Sequence, residues 1–283
     1  MIVQKIPLSP GLWLVGVPIG TARDITLRAL DVLASADILA AEDTRSLRKL
    51  MDIHGIPLEG RRVQSLHDHS GVHSVDRLVQ SMSEGQSVAY ASEAGMPLIA
   101  DPGFELVVAA RAADQLVTSA PGPSAVTTAL ALGGLGTDSF HFAGFLPSGS
   151  AARRKTLERL RGIDATLVFY ESPKRIAATL RDAAEVLGNR PARVCRELTK
   201  KFEEVRAGQL EELAASCETD APRGEIVLLI DRQTEGPLTE DDLKNALNSA
   251  LAEMSIKDAA KFVAEATGAS RRELYQLALQ LKN

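Results

Sequence analysis

Apolar residues in this chain gather into short continuous runs, separated by stretches in which they recur at helical spacing. Leu12-Trp13-Leu14-Val15-Gly16-Val17 is such a run; Pro18 and Gly20 stop it, which predicts a buried strand entering a loop. Asp24 then precedes Ile25 to Leu33, where the apolar residues fall on one helical face behind a side chain able to cap the first turn. The same unit recurs, with strands predicted over 38–41, 63–66, 88–92 and 116–118 and helices over 44–53, 72–82 and 105–113. Strands alternating with helices predict an α/β fold with a mostly parallel first sheet, covered by helices on both faces.

Ala120-Pro121-Gly122-Pro123-Ser124 interrupts this rhythm, because two prolines around a glycine fit neither a helix interior nor a central strand. A second series follows, with helices predicted over 125–132, 152–160 and 174–187 and strands over 140–145, 166–170, 193–197, 202–207 and 225–230. Little helix is expected between the last three strands, which predicts hairpin pairing and a mixed second sheet. Beyond Gly236-Pro237 the pattern becomes wholly helical. Thr239 can cap a helix carrying Leu243, Leu247 and Leu251, and further helices open at Ser255 and Ser270. Ser270-Arg271-Arg272-Glu273 resembles the start of the second helix of a helix-turn-helix, although short helices around a Gly turn more often serve as packing units. The expected organisation is an N-terminal α/β domain over 1–120, a second α/β domain over 121–235 and a helical extension over 236–283.

With 283 residues, 45% hydrophobic and 24% charged, the chain has ordinary soluble globular composition and room for two domains. A net charge of −5 argues against binding nucleic acid by bulk charge but leaves a local basic patch open. Cys195 and Cys217 lack the paired spacing of a disulfide framework or a cysteine zinc site, so no metal is expected. No N-terminal targeting pattern and no run of about 18 apolar residues occurs, and a cytoplasmic protein with no membrane contact is the expectation.

The chemistry concentrates at strand ends. Tyr90 to Gly103 packs small residues directly after a strand, where a ligand can approach the backbone, in the position that open α/β sheets use for binding; an ordinary connecting loop is the plain alternative. Glu42-Asp43-Thr44-Arg45 follows another strand and contains an obvious capping pair. His67-Asp68-His69 offers metal-ligand side chains with nothing to complete a set. Glu171 follows the strand ending at Tyr170, Arg196 to Lys201 closes another, and Arg223-Gly224-Glu225 precedes the last. Basic residues gather in the second half, at Arg153, Arg154, Lys155, Arg159, Arg161, Lys174, Arg175, Lys200 and Lys201, where they could hold a phosphate backbone or simply solvate helix faces. Neither G-x-G-x-x-G nor a Walker loop is present, which weakens a dehydrogenase or kinase reading.

Taken in order, Val17-Pro18-Ile19-Gly20 with Asp24-Ile25-Thr26, Ala41 to Arg45, Leu66 to His69, Ser92 to Gly103, Pro121 to Ser124, Gly144 to Pro147, Phe169 to Ser172, Arg196 to Lys200 and Gly224-Glu225 closely resemble the bacterial ribosomal small subunit RNA methyltransferase I family. The resemblance implies a two-domain tetrapyrrole-methylase-like fold and S-adenosylmethionine-dependent methylation of a cytidine ribose 2'-oxygen in the decoding region of 16S ribosomal RNA. It also implies a homodimer acting on the small ribosomal subunit. By position it places the cofactor against Pro18, Ser92, Glu93, Ala94, Gly95, Met96, Ile99, Ser124, Ala125, Phe145, Leu146, Gly224, Glu225, Ile226 and Val227. Glu93 and Met96 stand where the family usually has Asp and Thr, so backbone contacts at Ala94 and Gly95 are expected to matter more than either side chain.

A displacement at a sulfonium methyl needs alignment above all, with help for a weakly nucleophilic hydroxyl. Among the strand-end groups, Glu171, Glu197 and Lys200 are expected near the transferred methyl, with Asp43, Arg45, Arg153 and Arg154 positioning RNA. Lys200 could act as a base only with a depressed pKa, for which its sequence context gives no sign. Two rival readings share the same residues: methylation of a small molecule such as a tetrapyrrole, and a non-catalytic ribosome-assembly binder.

Overall fold

The first strand, β1 (Gly11–Val15), lies inside its sheet because the strands that follow it find places on both its sides. The computed structural model describes residues 3–67, 72–232, 240–252 and 254–282. Within them β2 (Ile38–Ala41), β3 (Val63–Ser65), β4 (Ser87–Ala91) and β5 (Val117–Ala120) join β1 in a fully parallel sheet of order β3-β2-β4-β1-β5. Side chains alternate across a strand, so each contributes to two cores. Val15, Leu39, Ala41, Ala89 and Ala91 pack under α1 (Leu27–Ser35) and α2 (Thr44–Ile53). Leu12, Ala40, Val88 and Tyr90 pack on the other face under α3 (Val72–Ser83) and α4 (Phe104–Ala112). The helix predicted behind Asp24 starts later: Asp24 lies in a short 3-10 turn and Thr26 caps α1, accepting the Ala29 amide at 3.1 Å.

After α5 (Ala125–Gly133) come β6 (Phe140–Phe145), α6 (Ser150–Leu160), β7 (Thr166–Glu171), α7 (Ile176–Leu187), β8 (Pro191–Arg196), β9 (Glu204–Gln209), α8 (Leu210–Thr219) and β10 (Ile226–Ile230). The strands form a second sheet of order β6-β7-β10-β8-β9, parallel only between β6 and β7, so it is mixed as expected. The expectation of little helix among its last strands was wrong. α8 separates β9 from β10, opened by a capping box between Gln209 and Glu212, with Leu210, Leu213, Ala214 and Cys217 buried at helical spacing. Only β8 and β9 pair as a hairpin; β10 inserts between β7 and β8. Leu167, Phe169, Val194 and Leu228 face the core under α6, α7 and α8, while Val168, Cys195, Val227 and Leu229 face α5 and Ile19. Ile19 comes from the loop after β1, so the second core is shared between the sheets.

The chain forms two compact units, Met1–Gln233 and Thr234–Asn283. The expected boundary at 120/121 falls between β5 and α5, inside the first. In the second, α9 (Glu240–Leu251), α10 (Ile256–Thr267) and α11 (Arg271–Lys282) bury Leu247, Ala250, Ala259, Ala260, Val263, Leu274 and Ala278. Ser255 caps α10 by accepting the Asp258 amide at 3.2 Å; Gly236, Pro237 and Thr239 lie outside the described residues. No helix among the described residues is long and apolar enough to cross a membrane.

Candidate active site

The loops that leave β1, β4 and β5 converge at the carboxyl edge of the first sheet, and backbone holds them together. Val17 and Gly95 exchange backbone hydrogen bonds of 2.9 and 3.1 Å. Gly16 lies against Gly122 so closely that a Cβ on Gly16 would sit 2.6 Å from the Gly122 nitrogen, closer than real Cβ atoms come. The Gly122 N–H donates to Met96 Sδ at 3.3 Å. Gly95 takes φ +71°, and the non-glycine residues Leu98 and Ala100 also sit in the left-handed region, at φ 72° and 63°. Residues held in this sparsely populated region cluster where a loop is shaped for a ligand.

Opposite these loops, the ends of β7 and β10 and the turn after β8 close a cavity of about 350 Å³, within the range of small-molecule sites. Of the residues expected at the cofactor, Ala94, Gly95, Met96, Ile99, Ser124, Ala125, Phe145, Gly224, Glu225, Ile226 and Val227 border it. The others stand behind or beside it. Ser92 is buried and its hydroxyl donates to the Ala94 carbonyl at 3.1 Å; Glu93 donates its amide to Glu42 Oε2 at 3.2 Å. Leu146 belongs to the core under α6, and Pro18 precedes the bordering Ile19.

The cavity wall also carries Asp101, Tyr170, Ser172 and Leu198, which lie within the sequence motifs without an expected role, and Pro173. Strand alternation was the missed signal at Tyr170. Along β7, Leu167 and Phe169 face α7, so Glu171 shares their side and Tyr170 the cavity side. Tyr170 packs edge-on against Phe142 and Phe145 with ring centroids 4.9 and 5.5 Å apart. Burial, and then the charges of Asp101 and Glu225, push its phenol up to about 12.

Glu171 borders the cavity, but its carboxylate is engaged on the α7 side. Its carboxylate is fully buried, accepts the Thr179 hydroxyl at 2.6 Å and the Ser172 amide at 2.8 Å, and pairs with Arg175 at 3.1 Å. Arg175 in turn donates to the Leu146 carbonyl at 2.5 Å, tying β7, α7 and the loop after β6 into one knot.

Glu197 and Lys200 are not among the residues that border the cavity; they adjoin it through Gly224 and Glu225, which do. Glu197 Oε1 accepts the Lys200 ammonium at 2.9 Å and the Glu225 amide at 3.0 Å, and Lys200 also donates to Glu225 Oε2 at 2.9 Å. Gly224 makes this possible: with φ +85°, it has the Glu197 carboxylate where a side chain would start, 2.2 Å from an added Cβ. Glu197 and Thr199 are themselves strained, at φ 49° and 63°. Thr199 Oγ1 accepts the Thr21 amide at 3.1 Å, linking this turn to the loop after β1. The Glu225 amide, and then Lys200, hold the Glu197 carboxyl below the usual carboxylate range. Burial pulls the Lys200 ammonium down, but its bonds to Glu225 and Glu197 outweigh it and the pKa is raised. A lysine so placed keeps its proton at neutral pH, which removes it as a general base.

The residues expected to position RNA divide. Arg153 is 4% exposed and donates to Asp182 at 2.7 Å and to the Ser148 carbonyl at 3.1 Å, so its guanidinium is built into the protein and cannot reach a phosphate. Arg154 also pairs with Asp182, at 2.8 Å, and with Glu185. Asp43 caps α2, accepting the Arg45 amide at 2.8 Å and the Ser46 hydroxyl at 3.3 Å, while the Arg45 side chain is 90% exposed. Asp68 and His69 lie outside the described residues.

An apolar cavity with backbone amides along one wall, and Asp101 and Glu225 at its edge, suits a cationic small molecule with an extended apolar part. Residues 11–214 match the family model of tetrapyrrole (corrin/porphyrin) methylases, and residues 237–282 match the RsmI C-terminal HTH domain. A ribosomal RNA small subunit methyltransferase I from Mesorhizobium japonicum is 44% identical over 98% of this chain and 94% of its own length.

The chain belongs to the ribosomal RNA small subunit methyltransferase I family.

The relative of that name from Vibrio cholerae is 42% identical over 96% of this chain and 95% of its own. Solved structures share the fold of this family member. Diphthine synthase superposes with TM-score 0.61 at 16% identity, covering 79% of this chain and 90% of its own. Uroporphyrin-III-C-methyltransferase from Thermus thermophilus does so with TM-score 0.56 at 23% identity, covering 79% and 94%.

Proposed function

We propose that this chain transfers the methyl group of S-adenosylmethionine to the ribose 2'-oxygen of a cytidine in the decoding region of 16S ribosomal RNA. The observation that carries the reading is the cavity: a wall made of backbone, facing a charged rim, in a chain of this family. The cofactor fits the site, since the backbone of Ala94 and Met96 borders the cavity on either side of Gly95, whose own amide is held by Val17, and Asp101 and Glu225 can face a cationic ligand. When bound, it supplies an electrophilic methyl on a sulfonium.

The residues of the chain supply alignment and exclusion of water. Ile19, Ile99, Leu198 and Val227 cover the cavity with apolar surface. Glu197 and Lys200 stay charged and would hold the ribose by hydrogen bonds, while the 2'-hydroxyl proton released on methyl transfer leaves to solvent water. Tyr170, with its phenol near 12, stays protonated and can donate. Alignment in a water-poor site is the larger part of catalysis for a displacement of this type. The proposed setting is cytoplasmic, with a homodimer acting on the small ribosomal subunit.

Mass mapping of 16S ribosomal RNA from cells lacking the protein tests this directly. Loss of one ribose methyl on a decoding-region cytidine, restored by the purified chain with S-adenosylmethionine, is the expected result. An unchanged methylation pattern would overturn the reading.

A further inference from the structure

A second concavity adjoins the candidate active site. Pro173 borders both, and Arg223, in the second, is followed directly by Gly224 on the wall of the first. Four cations line it, Lys174, Arg196, Arg206 and Arg223, against the single carboxylate of Asp220. Two of the four are already committed. Glu204 accepts from Arg196 at 2.5 Å and from Arg206 at 3.1 Å, and Arg206 also donates to Asp220 at 2.6 Å. Lys174 and Arg223 are exposed, and no described residue forms a hydrogen bond or ion pair with either. In a chain whose net charge is −5, the local excess at this spot is therefore these two side chains.

We propose that Lys174 and Arg223 bind phosphates of the RNA chain next to the nucleotide that enters the cavity. The inference rests on the functional reading above and adds the path of the substrate backbone to it. Each cation is one residue from a cavity-lining residue, Pro173 with its ring-fixed φ and Gly224 packed against the Glu197 carboxylate. Their main chains are thus held at the entrance while the long side chains stay free to follow a flexible strand. Arg196 and Arg206 are balanced by Glu204 and Asp220, so the positive potential at this spot comes from Lys174 and Arg223. Sequence-independent phosphate contacts position a substrate without reading it, the role a pocket for one nucleotide requires from its surroundings.

The test uses the full chain with small subunits from cells lacking it. Lys174→Ala combined with Arg223→Ala should raise KM for the subunit by about tenfold and leave the affinity for S-adenosylmethionine, read by calorimetry, at its wild-type value. Subunit binding followed between about 50 and 200 mM salt should lose about 0.7 to 0.9 from its log–log slope per cation removed. The charge-preserving pair Lys174→Arg and Arg223→Lys should recover both values, and Arg159→Ala on the exposed face of α6 should change neither. Wild-type KM and slope in the double alanine variant, or an equal loss in Arg159→Ala, would overturn the inference while leaving the functional reading intact. A wild-type chain that methylates no subunit RNA would instead remove the reading itself, and the inference with it.

Discussion

The two walls of the cavity are built on opposite principles. The first, from the loops after β1, β4 and β5, owes its shape to missing side chains: Gly16 meets Gly122 backbone to backbone, and Val17 pairs with Gly95 through amides and carbonyls. The second, around Glu197, Lys200, Gly224 and Glu225, owes its shape to charges that have already found one another. A wall of backbone tolerates changes of side chain but not the addition of a single atom. Paired charges are held in place, and the pairing keeps Glu197 ionised and Lys200 protonated near neutral pH. Under the proposed function, the first wall shapes the small-molecule site and the charged second wall meets the macromolecular substrate.

The sharpest way to break this comparison is Gly16→Ala. The added Cβ would lie 2.6 and 2.7 Å from the Gly122 nitrogen and Cα, and backbone at that distance has to move. Overpacking of this kind costs about 1–3 kcal/mol, to be read from denaturant unfolding. Displacing the Gly122 and Gly95 segments together should also weaken S-adenosylmethionine binding by tenfold or more, measured by calorimetry. Wild-type affinity in this variant would show that the backbone contact does not shape the cofactor wall.

On the second wall, Lys200→Met should slow methylation by about tenfold to a hundredfold with cofactor affinity unchanged. Its pH dependence separates placement from proton transfer. The raised pKa of Lys200 means that its stabilising contribution is complete below the ordinary lysine value of about 10.4 and is lost only as pH rises through the folded value above that. The depressed pKa of Glu197 means that its contribution is complete above about 4.3 and is lost as pH falls through the lower folded value. Between these limits neither Lys200 nor Glu197 changes charge, so wild type and variant should give pH–rate profiles of the same shape from about pH 6 to 9. A rising limb present in the wild type and erased in Lys200→Met would identify Lys200 as a base and overturn this account of the wall.

The two walls also differ in how far they can be read from sequence. Glycines and prolines advertise backbone requirements, so the loop from Ser92 to Gly103 and the Pro121 to Ser124 segment stand out along the chain as places where a ligand can approach. Charges advertise only themselves. Arg153, expected at a phosphate, is buried on Asp182; Glu171, expected at the methyl, borders the cavity but gives its carboxylate to Thr179 and Arg175. Tyr170, one residue before it, presents its ring on the cavity side. The left-handed backbones at Leu98, Ala100, Glu197 and Thr199 carry no sequence signal, because the fold rather than the residue type imposes them. α8 is legible, with Leu210, Leu213, Ala214 and Cys217 at helical spacing, but an expectation of paired strands on both sides hides it.

The smallest expected effect belongs to Met96→Thr, which restores the residue the family usually carries beside Gly95. Met96 is half-buried, and among the described residues its sulfur makes one polar contact, with the Gly122 N–H at 3.3 Å, as a weak acceptor. A threonine hydroxyl can accept in its place, so the lost apolar contact should cost no more than about 1 kcal/mol of stability. Affinity for S-adenosylmethionine should stay within about threefold, since roughly 1.4 kcal/mol is needed for each factor of ten. The change also should not rescue Gly16→Ala. Met96 Sδ lies 2.7 Å from the added Cβ, but the Gly122 backbone is as close and remains when the sulfur is gone. A tenfold loss of affinity in Met96→Thr alone, or recovery in the double variant, would mean that a side chain shapes the first wall, and the contrast with the second would fail.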